Sequence, residues 1–268
     1  MVLESLFSAK LVEQKPLYML VVSFLVTLVS IFISNYIFPD FAGWTIPLLI
    51  SVTMSPLIFR IFRYEEEIER EVAENRIKEG FMQRHGETIL LFSLFFLGNF
   101  LAIFITAMLM PVAYIQSTFS QQIDAIKAIS SLTVYATAYA VISEKLSAIV
   151  LNNIKVMVIT FLLSFILGTG ALIILSWNAS ILAIYLSSFL KQGLIGEFAA
   201  RTLGILPHAP IEFLAYFLAG IAGGILSVGV IREKIMSREF KFVLKDSIIL
   251  FALSIIAVLF GGFIEVYI

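Results

Sequence analysis

The chain has no cysteine. Disulfides, thiolate metal sites and cysteine nucleophiles are therefore all excluded. Histidine is nearly absent too, with 2 in 268 residues, His85 and His208. Charge is scarce: 14% of residues are Asp, Glu, Lys or Arg, and the net charge is −1. No basic surface of the kind that binds nucleic acid can be built from this balance. No nucleotide-binding loop is present, so primary energy coupling within the chain is not expected.

What the chain has is apolar surface. It is 60% hydrophobic with a mean hydropathy of +1.01, against about 45–50% apolar in soluble domains. Several apolar runs reach about 20 residues, the length that crosses about 30 Å of hydrocarbon. They are continuous rather than alternating, which excludes a membrane barrel. The fold class is all-α: a polytopic transmembrane helix bundle of about seven membrane segments, one of them short or broken. Its first partner is the lipid bilayer.

The segments read as Leu17–Phe38, Trp44–Phe62, Thr88–Met110, Ile154–Leu175, a short Ala179–Leu190, Pro210–Ile231 and Ile248–Tyr267. Lys10 and Lys15 precede the first run, which is too long for the apolar core of a cleavable signal, so it is expected to be retained. Between the second and third runs, Arg63–Glu87 is rich in charge, with Glu66 four residues before Arg70 and Glu74 four before Lys78. That spacing predicts a solvated helix projecting into or lying along the cytosol. The stretch 111–153 places Ile123, Ile126, Leu132, Ile142 and Leu146 among Asp124, Lys127, Glu144 and Lys145, a pattern of amphipathic helices at an interface. The basic loop holding Arg232, Lys234, Arg238, Lys241 and Lys245 falls on the same side as Lys10 and Lys15 only if the short fifth segment crosses. The positive-inside bias then predicts seven crossings in the cell membrane, with the N-terminus cytoplasmic and the C-terminus outside. The expected division is 1–87, a transmembrane hairpin plus charged helix, and 88–268, a transmembrane core.

Ionisable residues within membrane segments are costly and point to function. His208 and Glu212 share a face at i, i+4 if Pro210 opens the helix. One reading is a metal or proton-relay pair; the other is a carboxylate that satisfies the histidine and locks a kink. Two ligands are few for zinc, and neither a metal nor a cofactor is expected. Glu197 and Arg201, also i, i+4, precede the kink, Glu265 closes the last run, and Asn178 opens the short segment. These six residues form the predicted polar cluster. Gly220, Gly223 and Gly224, with Ala219 and Ala222, give a flat face for close packing.

From about Thr88 onward the chain resembles the stage II sporulation protein M family. The resemblance rests on Asn152-Asn153, Gly168-Thr169-Gly170, Trp177-Asn178, Leu206-Pro207-His208, Glu212, Gly220-x-x-Gly223-Gly224 and Ile264-Glu265. Ala179 and Ala209 stand where the family usually has glycine. The N-terminal extension looks like that of archaeal-type members. The resemblance implies a membrane scaffold; in spore formers such proteins look like recruiters of peptidoglycan-degrading partners. A second match is set aside. Glu65-Glu66-x-x-x-Arg70 and Phe81-x-x-x-His85 fit motifs of CAAX-type intramembrane proteases. Here they fall in a polar segment and lie closer together than in that family.

Three functions follow in descending weight: a scaffold or partner-binding component with protein partners or self-association, a transporter or transport-accessory subunit, and an intramembrane enzyme using His208 and Glu212. The balance falls against an enzyme.

Overall fold

The computed structural model describes residues 15–128 and 142–267, the side chains of 142–145 excepted. Lys10, Leu132, and the side chains of Ile142, Glu144 and Lys145 lie outside the described residues. Among the described residues, seven helices are long and apolar enough to cross a membrane. We number them α1 (Leu17–Ile37), α2 (Ala42–Ala73), α3 (Phe81–Leu109), α4 (Ile142–Leu167), α5 (Ala171–Lys191), α6 (Ala209–Arg232) and α7 (Arg238–Tyr267). A short helix, Val112–Thr118, follows α3, and another, Ile195–Ile205, links α5 to α6. No strand occurs among the described residues.

The helices start and stop where the chain chemistry dictates. Pro210 sits in the first turn of α6, where its missing N–H costs nothing. Gly168 ends α4 with φ +76°, a left-handed position suited to a residue without Cβ. The fifth segment is not short: α5 has 21 residues. Ser176, Asn178 and Ser180 interrupt its apolar run, yet Asn178 donates to the Ile174 carbonyl at 2.8 Å and Ser180 to that of Trp177 at 2.7 Å. Once bonded to their own helix, these groups are compatible with a membrane span. Trp177 stacks on Trp44 with ring centroids 4.3 Å apart.

The most buried span is α6. Ser164 donates to the Gly220 carbonyl at 2.7 Å and Ser247 to that of Ala222 at 2.9 Å, tying α4 and α7 to it. A side chain at Gly224 would collide with the ring of Phe62 and one at Gly223 with the α4 backbone, which is why small residues are required there. Phe62, Phe92, Phe95, Leu57, Ile58 and Ile221 fill the middle of the bundle.

Helices α2, α3 and α7 have 32, 29 and 30 residues, or about 45 Å at 1.5 Å per residue, well beyond the thickness of the hydrocarbon. The α4–α5 turn stops short of them. Ser55 and Thr169 share a hydrogen bond of 2.7 Å, and α2 continues from Ser55 to Ala73. The surplus length therefore gathers at the end of the bundle that carries the α2–α3 and α6–α7 turns.

Candidate functional site at the charged end of the bundle

The segment expected to be a solvated helix is instead two helix ends and a turn. Its first part continues α2 to Ala73, and its last part begins α3 at Phe81. The buried residues of α2 run Leu57, Ile58, Ile61, Phe62, Glu65, Glu66, Glu69, Ala73. The glutamates thus occupy the same helical face as the apolar residues before them, in a 3.6-residue register. On α3 the buried face runs Arg84, His85, Thr88, Leu91, Phe92, Phe95. Asp246 joins from α7, also buried. This register was the missed signal: charge content suggested solvent, while charge position indicated the core.

His85 is fully buried and central. Its Nδ1 is hydrogen-bonded to Glu65 Oε1. Its Nε2 faces Asp246 Oδ2 at 3.3 Å and Glu69 Oε1 at 3.8 Å. Thr88 Oγ1 donates to the other Glu65 oxygen at 2.8 Å. Arg84 donates to Asp246 Oδ2 through Nε at 3.1 Å and through a second N–H, and to the Glu79 carbonyl at 2.7 Å. Beside these groups, Arg232 at the end of α6 donates to Glu66 at 2.5 Å and to Glu67 at 2.9 Å. Glu66 therefore pairs across the bundle with Arg232, where the sequence suggested Arg70, and Glu74 pairs with Arg76 at 2.6 Å. A cavity of 140 Å³ opens on Glu65, Glu79, Arg84, Glu87 and Thr88.

Glu69 stands apart. It is 0% exposed, and neither carboxylate oxygen has a hydrogen-bond partner. A buried carboxyl without a hydrogen-bond donor costs several kcal/mol in an apolar setting. Glu69, His85 and Asp246 offer ligand atoms that all lie within 4.8 Å of one another. Of the two differences from the protease motifs, the polar surroundings and the close spacing, the first does not hold in the fold. Glu65 and His85 are buried and directly bonded. The short spacing remains.

The cluster predicted from sequence lies at the opposite end and is only partly assembled. Glu212 is buried and accepts a 2.6 Å hydrogen bond from Asn153, whose carbonyl in turn accepts one from Tyr216 at 2.9 Å. Asn153 on α4 and Tyr216 on α6 were not singled out as site residues. Helix α7 closes over Glu212 at Gly261, where a Cβ would stand 2.7 Å from Glu212 Cγ. The His208 backbone carbonyl accepts from the Glu212 N–H at 3.1 Å. The His208 side chain is half-buried, and burial holds its pKa below the usual histidine value despite the opposing charge of Glu265. Glu197 and Arg201 are exposed and pair with each other at 3.4 Å, with Arg201 over the ring of Phe189. They line a surface cavity with Tyr185, Gly204 and Ile205. Asn178 bonds within α5. Glu212 and His208 therefore share an environment with Glu265, while Arg201, Glu197 and Asn178 make their polar contacts elsewhere.

A family model described as stage II sporulation protein M matches residues 17–268. No curated protein and no solved structure matches the chain.

Proposed function

The chain belongs to the stage II sporulation protein M family, and from that premise we propose that it is a multi-pass membrane scaffold, a partner-binding component whose working surface is the charged end of the bundle. The observation that carries this reading is the filled apolar middle. Phe62, Phe92, Phe95 and Ile221 lie between the Glu65–His85–Asp246 group and the Glu212–Asn153 group. Two polar ends divided by a packed core suit a rigid platform better than a conduit, because a transport pathway needs polar groups around water.

In this proposal the charged end is cytoplasmic. It gathers Arg63, Arg70, Arg76, Lys78, Arg84, Arg232, Lys234, Arg238, Lys241 and Lys245, against Lys127, Lys155, Lys191 and Arg201 towards the far end among the described residues. Such an asymmetry in Lys and Arg sets orientation. The N-terminal side of α1 is then cytoplasmic and the C-terminus outside. The transporter reading keeps one supporting observation, the carboxylates buried within spanning helices, Glu69 and Glu212.

The test places photocrosslinking residues at Arg76 and Lys78, both exposed near the α2–α3 turn, and at exposed Leu109 and Val112 at the far end. Discrete adducts to a second protein, or to another copy of the chain, are expected from the first pair. Gradient-driven flux through proteoliposomes of the purified chain, with no adduct from Arg76 or Lys78, would overturn the scaffold. Because the chain lacks cysteine, Arg238→Cys checks orientation directly. The expected result is labelling from the cytoplasmic side.

A further inference from the structure

We propose that the charged end holds a divalent transition-metal ion, of the Zn2+ or Mn2+ type, between Glu69, His85 and Asp246. This site does not depend on the scaffold reading, and no metal was expected from the sequence. Three independent features of the structure carry it.

The first is the histidine. Metal-bound imidazole almost always donates its other ring N–H to a carboxylate or carbonyl, which fixes the tautomer and orients the ring. His85 has this arrangement: Nδ1 lies on the Glu65 carboxylate, itself held by Thr88 at 2.8 Å, and Nε2 points at Glu69 and Asp246. With the proton on Nδ1, the Nε2 lone pair is directed between the two carboxylates.

The second is Glu69. Its carboxylate is completely buried, 3.8 Å from Nε2, and no donor reaches either oxygen. A hydrogen bond to His85 would need a shorter approach. A shared ion does not. Ligand bonds of about 2.0–2.2 Å place coordinating atoms roughly 3–3.5 Å apart, so the three ligand atoms, now within 4.8 Å of one another, need to close only modestly.

The third is the setting of Asp246. Arg84 anchors Asp246 through Oδ2, which holds the third ligand in place as outer-shell partners do. Three protein ligands leave coordination positions open. The cavity that opens on Glu65, Arg84 and Thr88 brings water to the rim of the group.

The experiment uses the purified full-length protein in detergent, stripped with a chelator and then given Zn2+ or Mn2+. Metal content is measured after desalting, and thermal unfolding before and after addition. About one ion per chain is expected, with the melting temperature raised by about 5–10 °C at a hundredfold excess over Kd. Glu69→Gln, which keeps side-chain shape and removes a charged ligand, is expected to lose both the ion and the shift. The chelated Glu69→Gln protein is expected to melt no lower than chelated wild type, which shows that it folds. His208→Ala, at the other end, is expected to bind metal normally. Absence of bound Zn2+ and Mn2+ in wild type, or retention of the ion by Glu69→Gln, overturns the proposal.

Discussion

The two ends of the bundle each bury carboxylates, and they treat them differently. At the far end Glu212 sits in a closed chain of partners: Asn153 donates to it at 2.6 Å, and Tyr216 donates to Asn153 at 2.9 Å. At the charged end Glu65 and Asp246 have donors, and Glu69 has none. A buried polar group with its hydrogen bonds made contributes to holding a structure, whereas one left without them costs stability and calls for another explanation. The comparison separates a structural polar lock from a candidate site, and it does so by satisfaction rather than by residue type. The sequence singled out the end with a histidine beside a proline kink. The structure concentrates unspent charge at the other.

The largest expected effect breaks the charged end. His85→Ala removes the group shared by Glu65, Glu69 and Asp246 and leaves buried carboxylates facing one another. A loss of about 3–5 kcal/mol is expected, read as a large fall in melting temperature or failure to accumulate in the membrane. A second, smaller effect belongs to the far end. Glu212→Ala leaves the Asn153 amide without its acceptor, and a loss of about 1–3 kcal/mol is expected by thermal unfolding. If Glu212→Ala costs more than His85→Ala, the ranking of the two ends is reversed.

The spans were legible because apolar runs of membrane length are a strong signal. Six of the seven appear near their observed places, and the seventh, α5, is cut short in the sequence because Ser176, Asn178 and Ser180 read as polar, although Asn178 and Ser180 bond within their own helix. The charged cluster was not legible by composition. Glu65, Glu66 and Glu69 lie three to eight residues beyond the buried pair Ile61 and Phe62 on one face, so continuing the α2 register past the last apolar residue would have found them. The partners Asp246 and Arg232 come from 161 or more positions away in the chain, as the hydrogen bonds to His85 and Glu66 record. No local pattern reaches that far. The same limit explains Arg201 and Glu197: their i, i+4 pairing was visible, but their position on the exposed helix 195–205, away from Glu212, was not.

Smaller effects sharpen the contrast between buried and surface charge. Arg201→Ala breaks an exposed pair, and a change of about 0.5 kcal/mol or less is expected in the same assay. A shift as large as that of Glu212→Ala would instead place Arg201 in the far-end lock. The smallest effect is a pH dependence. Burial holds the His208 pKa below its unfolded value of about 6.5. Between the two pKa values the unfolded chain binds a proton that the folded chain does not, so stability falls as pH drops below about 6.5 and is flat above it. His208→Asn is expected to remove this slope; an unchanged slope would assign it to another group.

The most direct measurement applies one substitution to both ends. Glu69→Gln and Glu212→Gln each replace a carboxylate by an amide of the same shape, and thermal unfolding in the presence of chelator compares them with wild type. Glu69→Gln is expected to raise the melting temperature, because it removes a buried acidic group that has no hydrogen-bond partner. Glu212→Gln is expected to lower it, because the amide brings N–H donors into a buried place where the carboxyl accepts from Asn153. A fall in both variants, or a rise at Glu212 and a fall at Glu69, would contradict the assignment of Glu69 as the unsatisfied group on which the charged end turns.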